Sequence, residues 1–380
     1  MKDAAAIVGI GETPFAKALE PSESELATSA ILAALDDAGI DASEVDGLAS
    51  YTLETTPEAE IAKAIGAGDI TFFGQVGYGG GAGPAVVGQL AMAIATGQCR
   101  VGVAWRSRKR GSGPRPWASA GPDVSTAALW TRPWGLLRPV DEIAMLTRRY
   151  MHEFGATRDH LANVALAVRR MANANPRAMM YERELTRDAY MEARWISEPL
   201  CLFDNCLETD GALACVLVAA DRARDARHPP ALVHAFAQGL PRQSHAMVNY
   251  WSEDPLEGPS WTCARQLYRN SDIQASDIRV AQIYDAFTPL IPLSLEGYGF
   301  CEKGEGAAFT EDGALEIGGR LPINTSGGGL SEAYVHGFNL VNEGVRQLRG
   351  TSPNPVPGVD SCLVTAGEGV PTSAMILRKP

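Results

Sequence analysis

The sequence predicts an α/β protein built from two related halves. Helical and extended patterns alternate along its 380 residues. A helix–turn–strand unit near the start returns late in the chain, and a helix–strand pair that follows it returns as well. A chain of this length exceeds the usual size of one domain, so two core units are expected.

Residues 4–11 form an apolar, Gly-punctuated run that reads as a first buried strand. Ser22-Glu23-Ser24-Glu25 has the form of a capping box. Leu26, Ala30, Ile31, Ala34, Leu35 and Ala38 then recur at helical spacing, with Gly39 as the stop. Ile40–Val45 leads into a short strand at Gly47–Ser50. The later copy has a helix around Thr262–Tyr268, the hexapeptide Ile273–Ile278 and a strand at Arg279–Ile283. The second repeated pair is a stripe of Val86, Val87, Leu90, Ala91 and Ile94, followed by a strand at Val101–Ala104. Its counterpart is Phe338, Val341, Val345 and Leu348, followed by Ser361–Thr365. The halves are expected at residues 1–225 and 226–380. An insertion at about 105–204 has a Gly/Pro/Arg-rich start (Arg106–Trp117) and a helical middle at Ala144–Arg170.

Composition narrows the function. A net charge of −12 argues against general nucleic-acid binding, which needs basic surface. No apolar run reaches membrane-spanning length. The first residues are too short and Gly-punctuated for a secretory signal. Seven cysteines without zinc spacing suggest reduced thiols and a cytoplasmic protein. The run Tyr78-Gly79-Gly80-Gly81-Ala82-Gly83 has neither the GxGxxG placement nor the Lys-Ser/Thr ending of a phosphate loop.

Several segments, in order, resemble the sterol-carrier branch of the thiolase superfamily. They are Arg148–His152, Asn175-Pro176, Asp204–Cys206, Thr209–Ala212, Gly299–Gly306 and Leu321–Thr325. The resemblance implies a thiolase fold: two α/β halves in five layers, αβαβα, with a loop domain inserted in the first half. Departures fall where thiolase chemistry sits. A thiolase nucleophile is a cysteine at a helix N-terminus, and here that loop is Tyr78–Gly83, with Gly80 at the nucleophile position. The oxyanion-hole motif, HDCF or NEAF, reads Tyr284-Asp285-Ala286-Phe287. The loop that resembles GGLISKGHPLG carries Tyr334 at its histidine, in Gly327–Gly337. The second cysteine falls in Thr365–Gly369, and Cys362 stands a few residues early.

This set of replacements resembles the thiolase-like aldolases of steroid side-chain degradation, also called lipid-transfer proteins. Membership implies retro-aldol cleavage of a β-hydroxy steroid acyl-CoA to a 17-ketosteroid and propionyl-CoA, with Tyr284 and Tyr334 as the catalytic pair. It also implies a homodimer, a small OB-fold partner in a heterotetramer or larger assembly, and no cofactor beyond the substrate's CoA. Retro-aldol chemistry needs a base, a stabilised enolate and an acid, but no covalent nucleophile. A Schiff-base route lacks a lysine suited to it: of six lysines only Lys303 lies in a motif loop. A metal route lacks a cluster, because His152, His160, His228, His234, His245 and His336 are scattered.

Phenols remain. A tyrosine of ordinary pKa, about 10, is only roughly one part in a thousand ionised at neutral pH. The helix N-terminus after Tyr334, with His336, is expected to lower it. Tyr284 is taken as base and Tyr334 as proton donor, or the reverse. Asp285 and His336 complete the candidate catalytic set, with Asp285 otherwise a loop anchor and His336 otherwise a satisfied loop residue. Tyr78, Gly79, Gly80, Gly81, Gly328 and Gly329 are the candidate substrate-binding residues. Gly80 frees volume beside the thioester, and N–H groups of residues 79–83 are candidate enolate donors. Arg106–Arg110 is a basic cluster that either meets CoA phosphates or lies solvated. The competing readings are a non-catalytic acyl-CoA-binding scaffold and an acyltransferase with a cysteine brought in from elsewhere.

Overall fold

The computed structural model of the protein describes residues 2–52, 55–114, 128–242, 247, 249 and 251–380. His245 and the last three residues of the Arg106–Trp117 segment lie outside them.

Eleven strands occur among these residues: β1 (Ala5–Glu12), β2 (Gly47–Tyr51), β3 (Phe72–Val76), β4 (Val101–Lys109), β5 (Trp195–Ser197), β6 (Leu200–Cys201), β7 (Asp210–Ala219), β8 (Ala231–Gly239), β9 (Ala281–Gln282), β10 (Ser361–Thr365) and β11 (Thr372–Arg378). Nine join one sheet in the order β3-β2-β4-β7-β1-β8-β11-β10-β9, and β5-β6 is a separate ribbon. Pairing follows one rule twice. β2 is parallel to β4, which is antiparallel to β7, which is antiparallel to β1. Likewise β9 is parallel to β10, β10 antiparallel to β11, and β11 antiparallel to β8. The two sets meet at an antiparallel seam where Ala6 faces Leu232 and Ile7 faces Ala231.

The first half carries helices α1 (Glu23–Ala38), α2 (Glu58–Ile65) and α3 (Gly83–Ala95). Helices α4 (Ala128–Thr131), α5 (Pro139–Phe154), α6 (Arg158–Asn173) and α7 (Arg187–Met191) lie between β4 and β7. Then follow α8 (Pro259–Arg269), α9 (Leu290–Gly297), α10 (Gly306–Phe309) and α11 (Phe338–Arg349). α1 packs on β1, β4 and β7, and α8 packs on β8 and β11. α3 and α11 touch strands of both sets and form the middle layer. The architecture is therefore the layered αβαβα of a thiolase fold.

Local chemistry explains the elements. The Ser22 hydroxyl accepts from Glu25 N–H while the Glu25 carboxylate accepts from Ser22 N–H, closing the predicted capping box. Gly39 ends α1 in the left-handed region, at φ 67°. The single helical stretch expected at Ala144–Arg170 is two helices, because Gly155 stops α5 at φ 69°. The strand expected at Arg279–Ile283 is only two residues long. Beyond it Ile283 N–H donates to Asn324 Oδ1 at 2.7 Å and Tyr284 N–H to Thr365 Oγ1 at 3.2 Å. Side chains thus replace ladder partners and turn the chain so that Tyr284 leaves the sheet.

Candidate active site

Three chain segments converge at one end of the middle layer: the glycine turn before α3, the segment after β9, and the loop before α11. They line a cavity of about 780 Å³ with residues of the β4–β7 excursion. Tyr78, Gly79, Gly80, Tyr284, Tyr334 and His336 all border it.

Tyr284 and Tyr334 meet hydroxyl to hydroxyl at 2.6 Å, both buried. The Tyr284 ring lies in a slot walled by glycines. A Cβ at Gly80 would lie 2.0 Å from its Oη, one at Gly337 2.6 Å from Cδ2, and one at Gly367 3.1 Å from Cε1. The volume that Gly80 was expected to free for substrate is therefore filled by the phenol. Gly367 and Gly337 were not singled out as site residues from the sequence; their signal was that Gly367 lies inside the Thr365–Gly369 segment and Gly337 directly follows His336.

Tyr334 is carried by a tight turn over Gly328–Glu332. Glu332 N–H donates to Gly327 O at 3.0 Å, and Ala333 N–H to Gly328 O at 3.2 Å. The excursion fastens this turn from outside, with Met179 N–H on Glu332 O and Leu207 N–H on Gly329 O. Tyr334 N–H itself donates to Thr209 Oγ1 at 3.2 Å.

Asp285, expected among the catalytic groups, does not border the cavity. Its carboxylate accepts from Gly329 N–H at 2.7 Å and Leu330 N–H at 3.3 Å, anchoring the turn below Tyr334. Burial pushes its pKa up to about 6, against these hydrogen bonds. Gly328 and Gly329, expected to bind substrate, face Asp285 instead. A Cβ at Gly328 (φ 55°) would fall 2.2 Å from Asp285 Oδ2. Gly81 likewise faces Pro371 O, which a Cβ would approach to 1.9 Å. Within the glycine turn, Gly81 N–H donates to Tyr78 O and Ala82 N–H to Gly79 O. Those two donors point into the turn and not toward an enolate.

The electrostatics also correct an expectation. Burial raises the pKa of both tyrosines; Arg110 and Arg106 offset this only in part at Tyr334. The Arg110 guanidinium lies 5.8 Å from the Tyr334 ring centroid. His336 does not supply a positive charge beside Tyr334. Burial first, then Arg106, Arg110 and Arg108, hold it well below the ordinary histidine range, so it is neutral. Its Nδ1 is 2.8 Å from Arg106 Nη2, and its ring meets Tyr334 edge-on at 5.5 Å. The start of the basic cluster is thus neither a solvated patch nor a phosphate contact: Arg106 is fully buried behind His336. The strand β4 continues the same face at Arg108, and Arg110 follows directly after its end, an alternation invisible while the segment reads as a loop.

Cys206 is the one cysteine that borders the cavity among the described residues, and burial pushes its thiol up to about 12. It is a thiol and not a thiolate at rest, unlike the activated cysteine of a thiolase. Among the described residues there is no group of three metal-ligating side chains, and no helix is long and apolar enough to cross a membrane.

A thiolase C-terminal domain-like family model matches residues 244–378. The chain is 47% identical to the steroid side-chain-cleaving aldolase of Thermomonospora curvata, covering 98% of this chain and 97% of that one. It is also 47% identical to the 17-hydroxy-3-oxo-4-pregnene-20-carboxyl-CoA lyase of Mycobacterium tuberculosis, over 98% of each. A solved structure described as an Ltp2-ChsH2(DUF35) aldolase superposes with a TM-score of 0.96 at 47% identity, covering 100% of this chain and 98% of the other. A monomeric SCP2-thiolase like protein from Mycobacterium smegmatis shares the fold at 20% identity, with a TM-score of 0.70.

Proposed function

The chain belongs to the steroid side-chain-cleaving aldolases of the thiolase superfamily, and from that we propose that it cleaves a β-hydroxy steroid side-chain acyl-CoA to a 17-ketosteroid and propionyl-CoA. The observation that carries the mechanism is the 2.6 Å contact between Tyr284 and Tyr334 at the cavity wall.

Both phenols are protonated at neutral pH, so neither is a standing base. A relay avoids a free phenolate. One tyrosine accepts the proton of the substrate's β-hydroxyl while passing its own proton to the other. The hydroxyl oxygen becomes the ketone as the carbon–carbon bond breaks, and its electron pair moves to the α-carbon and thioester as an enolate. The second tyrosine gives its own proton to that α-carbon as it receives the one from the first, so neither phenol becomes an oxonium, both end neutral, and propionyl-CoA is complete. The nearby arginines favour Tyr334 as the acceptor of the hydroxyl proton and Tyr284 as the donor to carbon. Neutral His336 and the N–H groups of Gly79 and Gly80 are assigned to the thioester oxygen. Asp285 acts through the turn it anchors.

The substrate class fits the cavity. Apolar side chains such as Ile143, Leu290 and Leu330 suit a sterol, and Lys17, Arg138, Arg169 and Arg194 suit the phosphates of CoA. We place the division between halves at residues 225 and 226, with about 105–204 as the loop domain over the acyl-CoA. By similarity to the Ltp2-ChsH2(DUF35) aldolase, the chain is proposed to work with a DUF35-type, OB-fold partner, as a homodimer within a larger assembly. A cytoplasmic site of action fits this role.

Incubation with a 17-hydroxy steroid acyl-CoA, with and without the partner, should release ketosteroid and propionyl-CoA. Full activity in both Tyr284→Phe and Tyr334→Phe would overturn the relay. Binding of the CoA ester without cleavage would favour a scaffold.

A further inference from the structure

We propose that Arg106 is a positioning residue that fixes His336 as a neutral imidazole with its hydrogen on Nε2, so that the ring serves as an uncharged donor in the cavity. This rests on the lyase reading for what the donor acts on, but not for the tautomer itself.

The argument begins with donor counting. Arg106 Nη2 lies 2.8 Å from His336 Nδ1. A guanidinium has five N–H donors and no acceptor, so Nδ1 must be the accepting nitrogen. The hydrogen of a neutral ring is then on Nε2. The arrangement is held from three elements. Arg106 projects from β4, fully buried, with its guanidinium 4.6 Å from the centroid of the Tyr51 ring on β2. Tyr51 in turn stacks on the imidazole at 6.2 Å and 16° between planes, and its Oη donates to His336 O at 3.3 Å. The backbone of His336 sits in the left-handed region at φ 52°, which a β-substituted residue adopts only when its surroundings enforce it.

The charged and titratable groups facing the ring are Arg106 and Arg108 from β4, Arg110 just after it, Tyr51 from β2 and Tyr334 from its own loop. A proton added at Nδ1 would place a second cation against Arg106 in a buried site. The ring therefore stays uncharged across the working pH range. A neutral donor polarises the thioester oxygen and has no acidic proton to lose to the enolate, which leaves protonation of carbon to the tyrosines.

The test is nitrogen NMR on protein labelled in its histidine rings, with the His336 signals assigned by their loss in His336→Gln. The wild type should show the Nε2–H tautomer, unchanged from pH 8 to pH 5.5. In Arg106→Gln the ring should begin to titrate within that range. The kcat/KM of this variant should fall at least tenfold and gain an acid limb that the wild type lacks. Arg106→Lys retains a donor and a charge; it should keep the tautomer and restore much of the activity. It also keeps the test alive if the glutamine variant does not fold. An Nδ1–H tautomer in the wild type, or protonation of His336 near pH 6.5, would overturn the proposal. So would an Arg106→Gln profile that matches the wild type. The spectra read out the tautomer even if the chain cleaves no steroid, so failure of the lyase reading and failure of this proposal are separate results.

Discussion

The hydroxyl of Tyr284 stands where a side chain at residue 80 would have to be, 2.0 Å from a Cβ built on Gly80. A side chain at the position that resembles a thiolase's cysteine and the Tyr284 phenol therefore exclude one another. Gly80→Ala should displace the ring and lower kcat on the order of 100-fold. Overpacking of this kind destabilises by about 2 kcal/mol. In a Tyr284→Ala background the same substitution should cost almost nothing, because the slot is empty. Thermal melts of the four proteins in this cycle measure the coupling.

The two tyrosines should behave as one unit. Each Phe variant should lose activity by ~10³-fold, within the range of general acid–base catalysis. The double variant should be no more than a few-fold worse than either single one, because a relay is broken by the first loss. Single-turnover rates at saturating substrate separate this from weakened binding. Multiplied defects in the double variant would contradict the relay.

Asp285 anchors a turn and does not touch the cavity. Asp285→Asn replaces an acceptor of two N–H bonds with a group that can accept through only one oxygen. The expected loss of stability is about 2 kcal/mol. Activity should fall too, since Tyr334 follows the turn, which ends at Glu332. Urea unfolding compared with kcat tests this: an inactive variant of unchanged stability would point to direct chemistry at Asp285.

Glu368 follows Gly367 and is buried. Its carboxylate accepts from Ser260 N–H at 3.0 Å. Burial pushes its pKa up to about 8, from an ordinary 4.5. The folded state thus binds a proton that the unfolded state has released between those values, and stability contributed by this group falls as pH rises from 4.5 to 8. Glu368→Gln mimics the protonated form. It should raise the Tm at pH 8 and leave it nearly unchanged near pH 4.5. A Tm difference that does not change with pH would show that the carboxyl is not titrating there.

Much of this site was legible in the sequence because its residues lie in short, ordered motifs. Tyr284 and Tyr334 stood at positions where a known chemistry required other groups, which made them conspicuous. The repeat was legible from helical spacing and from two similar hexapeptides, both now 3₁₀ turns at Ala42–Glu44 and Ala275–Asp277. What escaped was set by long-range packing. The direction of the Tyr pKa shifts depends on burial, which no local pattern encodes. Arg106 and Arg108 read as a charged loop because a strand with alternating arginines resembles a solvated run. Gly367 and Gly337 gained meaning only when the Tyr284 ring was set between them. The early end of β9 follows from Asn324 and Thr365, which are 41 and 81 residues away from their partners.

The position of β11 has a consequence for how the chain is made. Thr372–Arg378 is not at the rim of the sheet but inside it, between β8 and β10. Until β11 has been synthesised, β8 and β10 each expose an unpaired edge. The β8 edge is complete at Gly239 and waits for Thr372, whereas β10 is made only just before β11, so one sheet margin stays open over the later part of synthesis, a state prone to pairing with other chains. Closure of the sheet between β8 and β10 therefore comes late in the making of the chain.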